Sequence, residues 1–315
     1  MRALVTGGAG FIGSHLVTAL VAEGTQVVVL DDLSTGDSAN VAPEADLVEG
    51  DITDASRVAS AVRGCDVVFH LAARGSVQRS VEQPLATDKS NVSGTLTVLC
   101  AAHDAGAGRV VLSSSSSVYG GARERPTRED QPLQPRSPYA VSKLAGEHYA
   151  RVFTELHGLE TVALRYFNVF GPRQRSDSQY AAVVPRFIDA LRRGLPVEIH
   201  GDGEQSRDFT YVTDAVQANL RAAVAPAESC VGRAYNIARG ESHTVLELLA
   251  ALADLLGVEA IPRHVPSRPG DVRHSQASIE AAGDDLGFRP RGTLRDGLAA
   301  TVAWWSEAVP AGSWT

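Results

Sequence analysis

The chain has 315 residues, of which 44% are hydrophobic, and carries a formal net charge of −8. This length can bury a sizeable core in two domains or in one large one, and the acidic balance argues against binding to nucleic acid or to a membrane surface. No apolar run reaches the roughly 18–20 residues of a membrane span, and the N-terminus has no signal-peptide organisation. We therefore expect a cytoplasmic protein.

Three cysteines, Cys65, Cys100 and Cys230, lie far apart in the sequence and in apolar surroundings. An odd number with this spacing favours buried thiols in a reducing compartment over disulfides or a metal site. We expect no bound metal.

A glycine-rich turn follows the first predicted strand, residues 2–6, and opens a helix that runs to about residue 23. Gly7, Gly10 and Gly13 are spaced slightly wider than in Gly-x-Gly-x-x-Gly. Such glycines allow a tight turn, a close approach of a pyrophosphate and close helix packing, and the helix N-terminus then faces the anion. The turn therefore predicts a dinucleotide site.

The second predicted strand, residues 26–30, ends at Asp31 and Asp32. A carboxylate at this position can accept hydrogen bonds from the adenosine ribose and would repel a 2′-phosphate. No lysine or arginine follows until Arg57. The sequence therefore favours NAD over NADP, although Asp32 could instead be a capping or turn residue.

Apolar strands and amphipathic helices continue to alternate, which predicts a parallel α/β sheet. A third strand over 47–52 would place Asp51 at the adenine, and the small residues after the fourth strand, 66–70, suit a cofactor wall. The predicted elements that follow are strands at 109–113 and 160–165 and helices at 87–105, 138–157, 212–224 and 245–256.

Tyr139 and Lys143 are four residues apart on the helix predicted over 138–157, so they lie on one face. An ammonium group there favours the phenolate and would lower the tyrosine pKa from about 10, which suits a base near neutral pH. A serine run ending at Ser117 could supply a further hydroxyl. Two solvated residues on a surface helix are the alternative.

Eight motifs in order resemble the extended short-chain dehydrogenase/reductase family, and among its members the nucleotide-sugar epimerases. They are the three glycines, Gly50-Asp51-Ile52, His70-Leu71-Ala72-Ala73, Asn91-Val92-Ser93-Gly94-Thr95, and the segments 113–120, 139–143, 164–172 and 201–209. The resemblance implies a doubly wound (Rossmann) parallel sheet with a smaller C-terminal substrate-binding domain. Its expected NAD-binding domain is 1–166, to which 212–237 returns, and its UDP-sugar domain is 167–315.

The resemblance also implies site residues. Tyr139 would be the catalytic base, Lys143 would hold the nicotinamide ribose and tune Tyr139, and Ser115 would bind the reacting hydroxyl, although the assignment within the serine run could shift by one position. The implied cofactor-binding residues are Gly7, Gly10, Phe11, Ile12, Gly13, Asp31, Asp32, Asp51, Ile52, Leu71, Ala72, Ala73, Ser113, Tyr139, Lys143 and Tyr166. The implied substrate-binding residues are Ser76, Arg79, Ser115, Ser116, Ser117, Tyr139, Asn168, Arg175, Val184, His200, Arg207, Arg268 and Asp271.

The serine run bears on the reaction. Family members that eliminate water carry Asp-Glu before Val-Tyr-Gly, and decarboxylating members carry a glutamate there, whereas this chain has Ser116 and Ser117. The resemblance therefore implies epimerisation at C4 through a 4-keto sugar, or simple oxidation and reduction. A non-catalytic NAD sensor is disfavoured because the catalytic residues are present.

The sugar is the remaining question. Arg207 and Arg268 resemble the diphosphate contacts, and Asp271 a uridine ribose contact. Arg175 resembles the position at which uronic-acid epimerases hold the C6 carboxylate, which predicts UDP-glucuronate. Segments 75–80 and 180–185 look more like epimerases of UDP-glucose or UDP-N-acetylhexosamines, and Arg79 could bind an anion or form a structural ion pair. A homodimer through helices 87–105 and 138–157 is expected by resemblance.

Overall fold

The computed structural model describes residues 1–121, 124–175, 182–267 and 272–308. Its strands in chain order are β1 Arg2–Thr6, β2 Gln26–Asp31, β3 Asp46–Glu49, β4 Val67–His70, β5 Arg109–Ser115, β6 Glu160–Tyr166, β7 Val169–Phe170, β8 Val197–His200, β9 Ser206–Arg207, β10 Thr210–Tyr211, β11 Arg233–Ile237, β12 His243–Thr244 and β13 Pro262–Val265.

The helices in chain order are α1 Phe11–Ala22, α2 Ala55–Val62, α3 Val77–Glu82, α4 Pro84–Asp88, α5 Gly94–Asp104, α6 Pro138–His157, α7 Val183–Arg192, α8 Val212–Val224, α9 Ala227–Cys230, α10 Val245–Leu256, α11 Glu280–Leu286 and α12 Leu294–Ala308. A π-helical turn, Lys89–Ser93, joins α4 to α5, and a 3₁₀ turn, Ser116–Tyr119, follows β5. Among the helices described, none combines the length and apolar character that a bilayer span requires.

Seven parallel strands of the described chain form the central sheet, in the order β11-β6-β5-β4-β1-β2-β3. In its middle, Leu4 of β1 lies opposite Val28 of β2 on one side and Val68 of β4 on the other, and all three are buried. The strand order reverses at β1, so the carboxyl ends of β1 and β4 border the crevice where such sheets bind ligands. The predicted doubly wound parallel sheet is confirmed.

A second core lies in the C-terminal part. Buried side chains of α7, α10 and α12 pack together there, among them Ile188, Leu248, Leu298 and Trp305. By contrast, β11 pairs with β6 at the edge of the central sheet, and α8 contacts α1. The division into an NAD-binding and a substrate-binding domain stays a prediction.

Several predicted elements differ in detail from those found. α6, α8 and α10 have the predicted bounds, but the helix predicted over 87–105 is interrupted by the π-helical turn, and β3 ends at Glu49 rather than at residue 52. β5 runs on to Ser115 because its last residues keep pairing with β6 up to Tyr166. The prediction of three buried thiols is wrong for Cys100, which is exposed on α5.

His70 joins three elements at the carboxyl edge of the sheet. Its Nδ1 lies 2.7 Å from Thr6 Oγ1 on β1, and its Nε2 lies 2.9 Å from Thr95 Oγ1 on α5. Because Thr95 donates its own hydrogen to Asn91 O, it accepts from the ring, so Nε2 carries a hydrogen. Burial, and then the charge of Lys143, lower the pKa of His70 to about 3.

We predict that His70 makes the protein sensitive to acid. Between its unfolded pKa of 6.5 and its folded pKa of about 3, only the unfolded chain binds the proton. The free energy of unfolding therefore decreases as the pH is lowered through that range. At pH 5 the loss from this group is roughly 2 kcal/mol. His70→Gln should lose less unfolding free energy than the wild type between pH 7 and pH 5, measured by urea titration. Equal losses would contradict the prediction.

Candidate active site

The glycine turn after β1 is closed so tightly that side chains are excluded from it. Gly7 has a φ of +72°, and a Cβ added to it would lie 2.6 Å from the backbone nitrogen of Ala72. A Cβ on Gly13 would lie 2.1 Å from the carbonyl oxygen of Gly7. The turn therefore keeps bare backbone at the start of α1, where the first N–H groups of the helix have no partner within the helix and suit an anion.

Asp31 holds the loops around this turn. Its Oδ2 accepts from Ala9 N and its Oδ1 from Leu33 N, each at 2.9 Å, and burial raises its pKa. A Cβ on Gly36 would lie 3.0 Å from Asp31 Oδ1. The bare turn, the helix N-terminus and this carboxylate together form a cradle that fits the pyrophosphate and the adenosine ribose of NAD.

Other predicted cofactor residues are placed less directly. Asp32 is exposed and accepts hydrogen bonds from Ser34 N and Oγ, as a turn residue does. Asp51 accepts from Thr53 N at 2.8 Å on the surface. The side chain of Ile52 is packed in the core with 5% exposure, so its predicted contact with the cofactor stays a prediction for its backbone alone. Leu71, Ala72 and Ala73 are partly buried beside the turn.

The catalytic pair predicted on α6 lies at the start of that helix. Ser137 caps the helix by accepting from Ala140 N at 3.1 Å, and Tyr139 faces the cavity described below. Lys143 is buried, and its Nζ donates to Ser113 O at 2.8 Å. Burial lowers the pKa of Lys143 to about 8, and the charge of Glu147 opposes this shift.

The predicted lowering of the Tyr139 pKa by Lys143 is wrong for the chain as it is folded here. Burial raises the pKa of Tyr139, and the group that opposes the rise is the side chain of Ser115. The lysine nitrogen is directed to the Ser113 carbonyl oxygen instead.

The serine run alternates between the two sides of β5, as the pleat of a strand requires. Ser114 is buried and donates to Glu147 on the α6 side. Ser115 lies on the cavity side, where its Oγ accepts from Ser117 N at 3.2 Å and caps the 3₁₀ turn. Ser117 Oγ is buried, faces no partner among the described residues, and lines the cavity.

The cavity has a volume of about 720 Å³ and lies between the carboxyl edge of the sheet and the C-terminal part of the chain. Its described lining residues are Val77, Gln78, Val81, Glu82, Ser115, Ser116, Ser117, Tyr119, Gly120, Gly121, Thr127, Arg136, Ser137, Tyr139, Tyr166, Phe167, Asn168, Arg207, Val272, His274 and Ser275. It therefore brings the serines and Tyr139 together with Asn168 and Arg207.

Asn168, Arg207 and Tyr166 reach the cavity in different ways. Asn168 has a φ of +32° and donates to Asp208 O at 3.1 Å. Arg207 Nη1 donates to the carbonyl oxygens of Ser206 and Arg273 at 2.9 and 3.2 Å, which fixes the guanidinium at the wall. The Tyr166 hydroxyl accepts from Asn219 at 2.7 Å, so only the ring faces the site.

The remaining predicted substrate residues do not line the cavity among the described residues. The Val184 side chain is 1% exposed in the C-terminal core, so its predicted substrate contact stays a prediction for its backbone alone. Ser76 caps α3, His200 pairs with Pro266 O, and Arg175 is exposed. Arg79 is partly buried. Arg268 and Asp271 lie outside the described residues.

A buried polar network behind the cavity was not predicted. Arg165 on β6 binds Glu147 through Nε and Nη2 at 2.9 and 2.8 Å, and its Nη1 donates to the Tyr119 hydroxyl at 2.7 Å. Tyr119 in turn donates to Asn236 on β11, whose backbone N–H donates to Glu129. The sequence signal was the presence of charged residues inside strand and helix patterns.

Asn91 also went unassigned, although it lies in one of the motifs. It sits in the π-helical turn, and its Nδ2 donates to Ser142 Oγ at 3.1 Å. Ser142 donates to the backbone oxygen of Tyr139 at 2.8 Å, while Asn91 Oδ1 accepts from Arg74 N. Asn91 therefore ties the exit of β4 to the catalytic helix.

Known proteins resemble this chain over nearly its whole length. The model of the NAD dependent epimerase/dehydratase family matches residues 3–238. The UDP-glucose 4-epimerase of Mycolicibacterium smegmatis is 41% identical over 309 residues, which are 96% of this chain and 97% of that protein. The crystal structure of the Thermotoga maritima UDP-glucose 4-epimerase with UDP-glucose has a TM-score of 0.94 and 37% identity, and covers 98% of this chain and 100% of its own.

A third relative, MoeE5, has been solved in complex with UDP-glucuronic acid and NAD. It is 39% identical to this chain with a TM-score of 0.89, and the match covers 98% of this chain and 100% of that one. The same protein has also been solved with UDP-glucose and NAD. These matches confirm the predicted fold class and the predicted cofactor NAD.

Proposed function

The chain belongs to the NAD dependent epimerase/dehydratase family, and we propose that it is an isomerase that inverts C4 of a UDP-sugar through a 4-keto intermediate. The observation that carries the proposal is the meeting of three hydroxyls at one end of the cavity. Tyr139, Ser115 and Ser117 line the cavity together, and Ser117 contributes a buried hydroxyl without a partner among the described residues. Such a hydroxyl is costly unless a ligand atom satisfies it.

In the proposed reaction, Tyr139 removes the proton of the C4 hydroxyl. Ser115 and Ser117 hydrogen-bond the carbonyl that develops at C4. When bound, NAD supplies the acceptor and then the donor of hydride at this carbon. Arg207 holds the diphosphate, as its planar fork suits phosphate oxygens, while the keto sugar turns its other face to the cofactor.

Epimerisation is favoured over elimination by the residues beside Ser115. Loss of water needs an acid and a base at the sugar, and Ser116 and Ser117 do neither at neutral pH. Both line the cavity, so no carboxylate occupies these two positions. Glu82 also lines the cavity, but it comes from α3 on another wall.

We propose UDP-glucuronate as the sugar donor. The alternatives are UDP-glucose and UDP-N-acetylglucosamine, whose sugars are uncharged. The support for UDP-glucuronate is the complex of MoeE5 with UDP-glucuronic acid and the position of Arg175 after the Asn168 turn. UDP-glucose is supported by the Thermotoga maritima complex. UDP-N-acetylglucosamine is supported by the name of a further solved 4-epimerase, from Methanobrevibacter ruminantium M1.

The deciding experiment incubates the purified protein separately with the three donors and resolves C4 epimers by proton NMR. We expect a C4 epimer without stoichiometric consumption of NAD. Arg175→Ala should lower turnover of UDP-glucuronate at least about tenfold more than that of UDP-glucose, because only the uronate has a carboxylate to bind. Equal losses of turnover for the two donors would rule out the proposal of UDP-glucuronate. Net formation of NADH without an epimer would rule out the epimerase reaction.

Replacing Tyr139 tests the catalytic assignment. Tyr139→Phe should lower kcat at least about 100-fold, because general-base catalysis is lost, while the melting temperature and NAD content stay near wild type. Tyr149→Phe is the matched control, since Tyr149 lies on the same helix but is 37% exposed. Wild-type turnover in Tyr139→Phe would refute the assignment.

We also propose a homodimer through α5 and α6 in the cytoplasm. The outer face of α6 exposes Val141, Tyr149, Val152 and Leu156 to 53%, 37%, 38% and 74%, at spacings that share one face of a helix. Light scattering should give twice the chain mass of 33.2 kDa, and Val152→Glu with Leu156→Glu should give the single mass. A single-chain mass for the wild type would exclude the dimer.

A further inference from the structure

His274 lies in the cavity wall, and the proposed reaction assigns it no role. It follows Arg273 in the segment that runs beside β9, where Ser206 N donates to Arg273 O at 2.9 Å and Ser275 N donates to Ser206 O at 3.0 Å. These two backbone hydrogen bonds place the imidazole next to Arg207 on the cavity side. The position of the ring is therefore built into the fold.

A hydroxyl behind the ring occupies its Nδ1. Ser206 Oγ lies 3.0 Å from His274 Nδ1, and Ser242 Oγ can donate its hydrogen to Ser206 Oγ at 2.9 Å or to the carbonyl oxygen of Ser275 at 3.1 Å. When Ser242 donates to Ser206 and Ser206 donates to Nδ1, the neutral ring carries its hydrogen on Nε2, and a protonated ring carries one there in either arrangement. This nitrogen has no hydrogen-bond partner among the described residues, so it can donate to a ligand in the cavity.

The charges around His274 favour an anionic ligand. Burial lowers the pKa of His274, and Arg125, Arg273 and Arg207, in that order, lower it further, while Asp202 raises it. Asp202 is paired with Arg273 at 2.7 Å. In its neutral form the imidazole offers a hydrogen-bond donor without adding a fourth charge beside these three arginines.

We propose that His274 is a substrate-binding residue whose Nε2–H donates to a diphosphate oxygen of the UDP-sugar, beside Arg207. This inference rests on the proposed function, because it takes the ligand to be a nucleotide diphosphate sugar. Ser206 is a positioning residue in this arrangement, since it acts by fixing the ring.

The contact has a consequence for pH. A bound diphosphate brings negative charge to the ring and offsets the effect of Arg125, Arg273 and Arg207, so the His274 pKa rises on binding. Binding is then accompanied by proton uptake, and affinity increases as the pH falls from 8 to 6. UDP-glucose itself, with its phosphates fully esterified, keeps its charge over this range.

The experiment measures binding of UDP-glucose, UDP-glucuronate and UDP-N-acetylglucosamine by titration calorimetry at pH 6, 7 and 8, in a Tyr139→Phe background loaded with NAD so that no turnover contributes heat. We expect binding about threefold or more tighter at pH 6 than at pH 8. Adding His274→Ala should weaken binding about tenfold at pH 7 and remove most of the pH dependence. His148→Gln, at an exposed position of α6, is the control and should change neither.

The outcomes separate the inference from the function on which it rests. If the background variant binds UDP-glucose and His274→Ala leaves the affinity and its pH dependence unchanged, the role of His274 is refuted and the proposed function stands. An equal loss at every pH means that His274 only supports the wall, which also refutes the inference. If the background variant binds none of the three UDP-sugars, both proposals fail.

Discussion

The ion pair between Glu147 and Arg165 is the constraint on which the active site depends. Both residues are buried, and removing one partner from such a pair is strongly destabilising because an uncompensated charge is left inside. Its hydrogen bonds fix the distance between α6, which carries Tyr139 and Lys143, and β6, which leads to Asn168. Tyr139 and the wall that carries Asn168 are therefore held by one contact behind them.

The same pair also organises the serine run. Glu147 accepts from Ser114, which directs that serine away from the cavity, and the pleat then directs Ser115 into it. Through Tyr119 and Asn236 the network continues to the loop that holds Glu129 and, further along, the cap of α6. Three segments distant in sequence are thus aligned by one network, which reaches the cavity wall at Tyr119.

The sequence was sufficient for features that follow from local regularity. The glycine turn, Asp31 and the bounds of α6 could be predicted because spacing and periodicity act over a few residues. Residues joined by the tertiary fold could not: His274 meets Arg207 only because β9 runs beside its segment, and Val184 is buried by helices that come later in the chain. The direction of the Tyr139 pKa shift was predicted wrongly for the same reason. The four-residue spacing between Tyr139 and Lys143 does not show that the tyrosine is buried.

Asp31 carries two duties, and this limits how cofactor preference can be engineered. A redesign toward NADP begins by removing the carboxylate that repels a 2′-phosphate. Here the same two oxygens receive the N–H groups of Ala9 and Leu33, so a neutral or cationic substitute also opens the loop that shapes the cradle. A successful switch has to supply two new acceptors for those amides, so changing cofactor preference means rebuilding the loop rather than exchanging one residue.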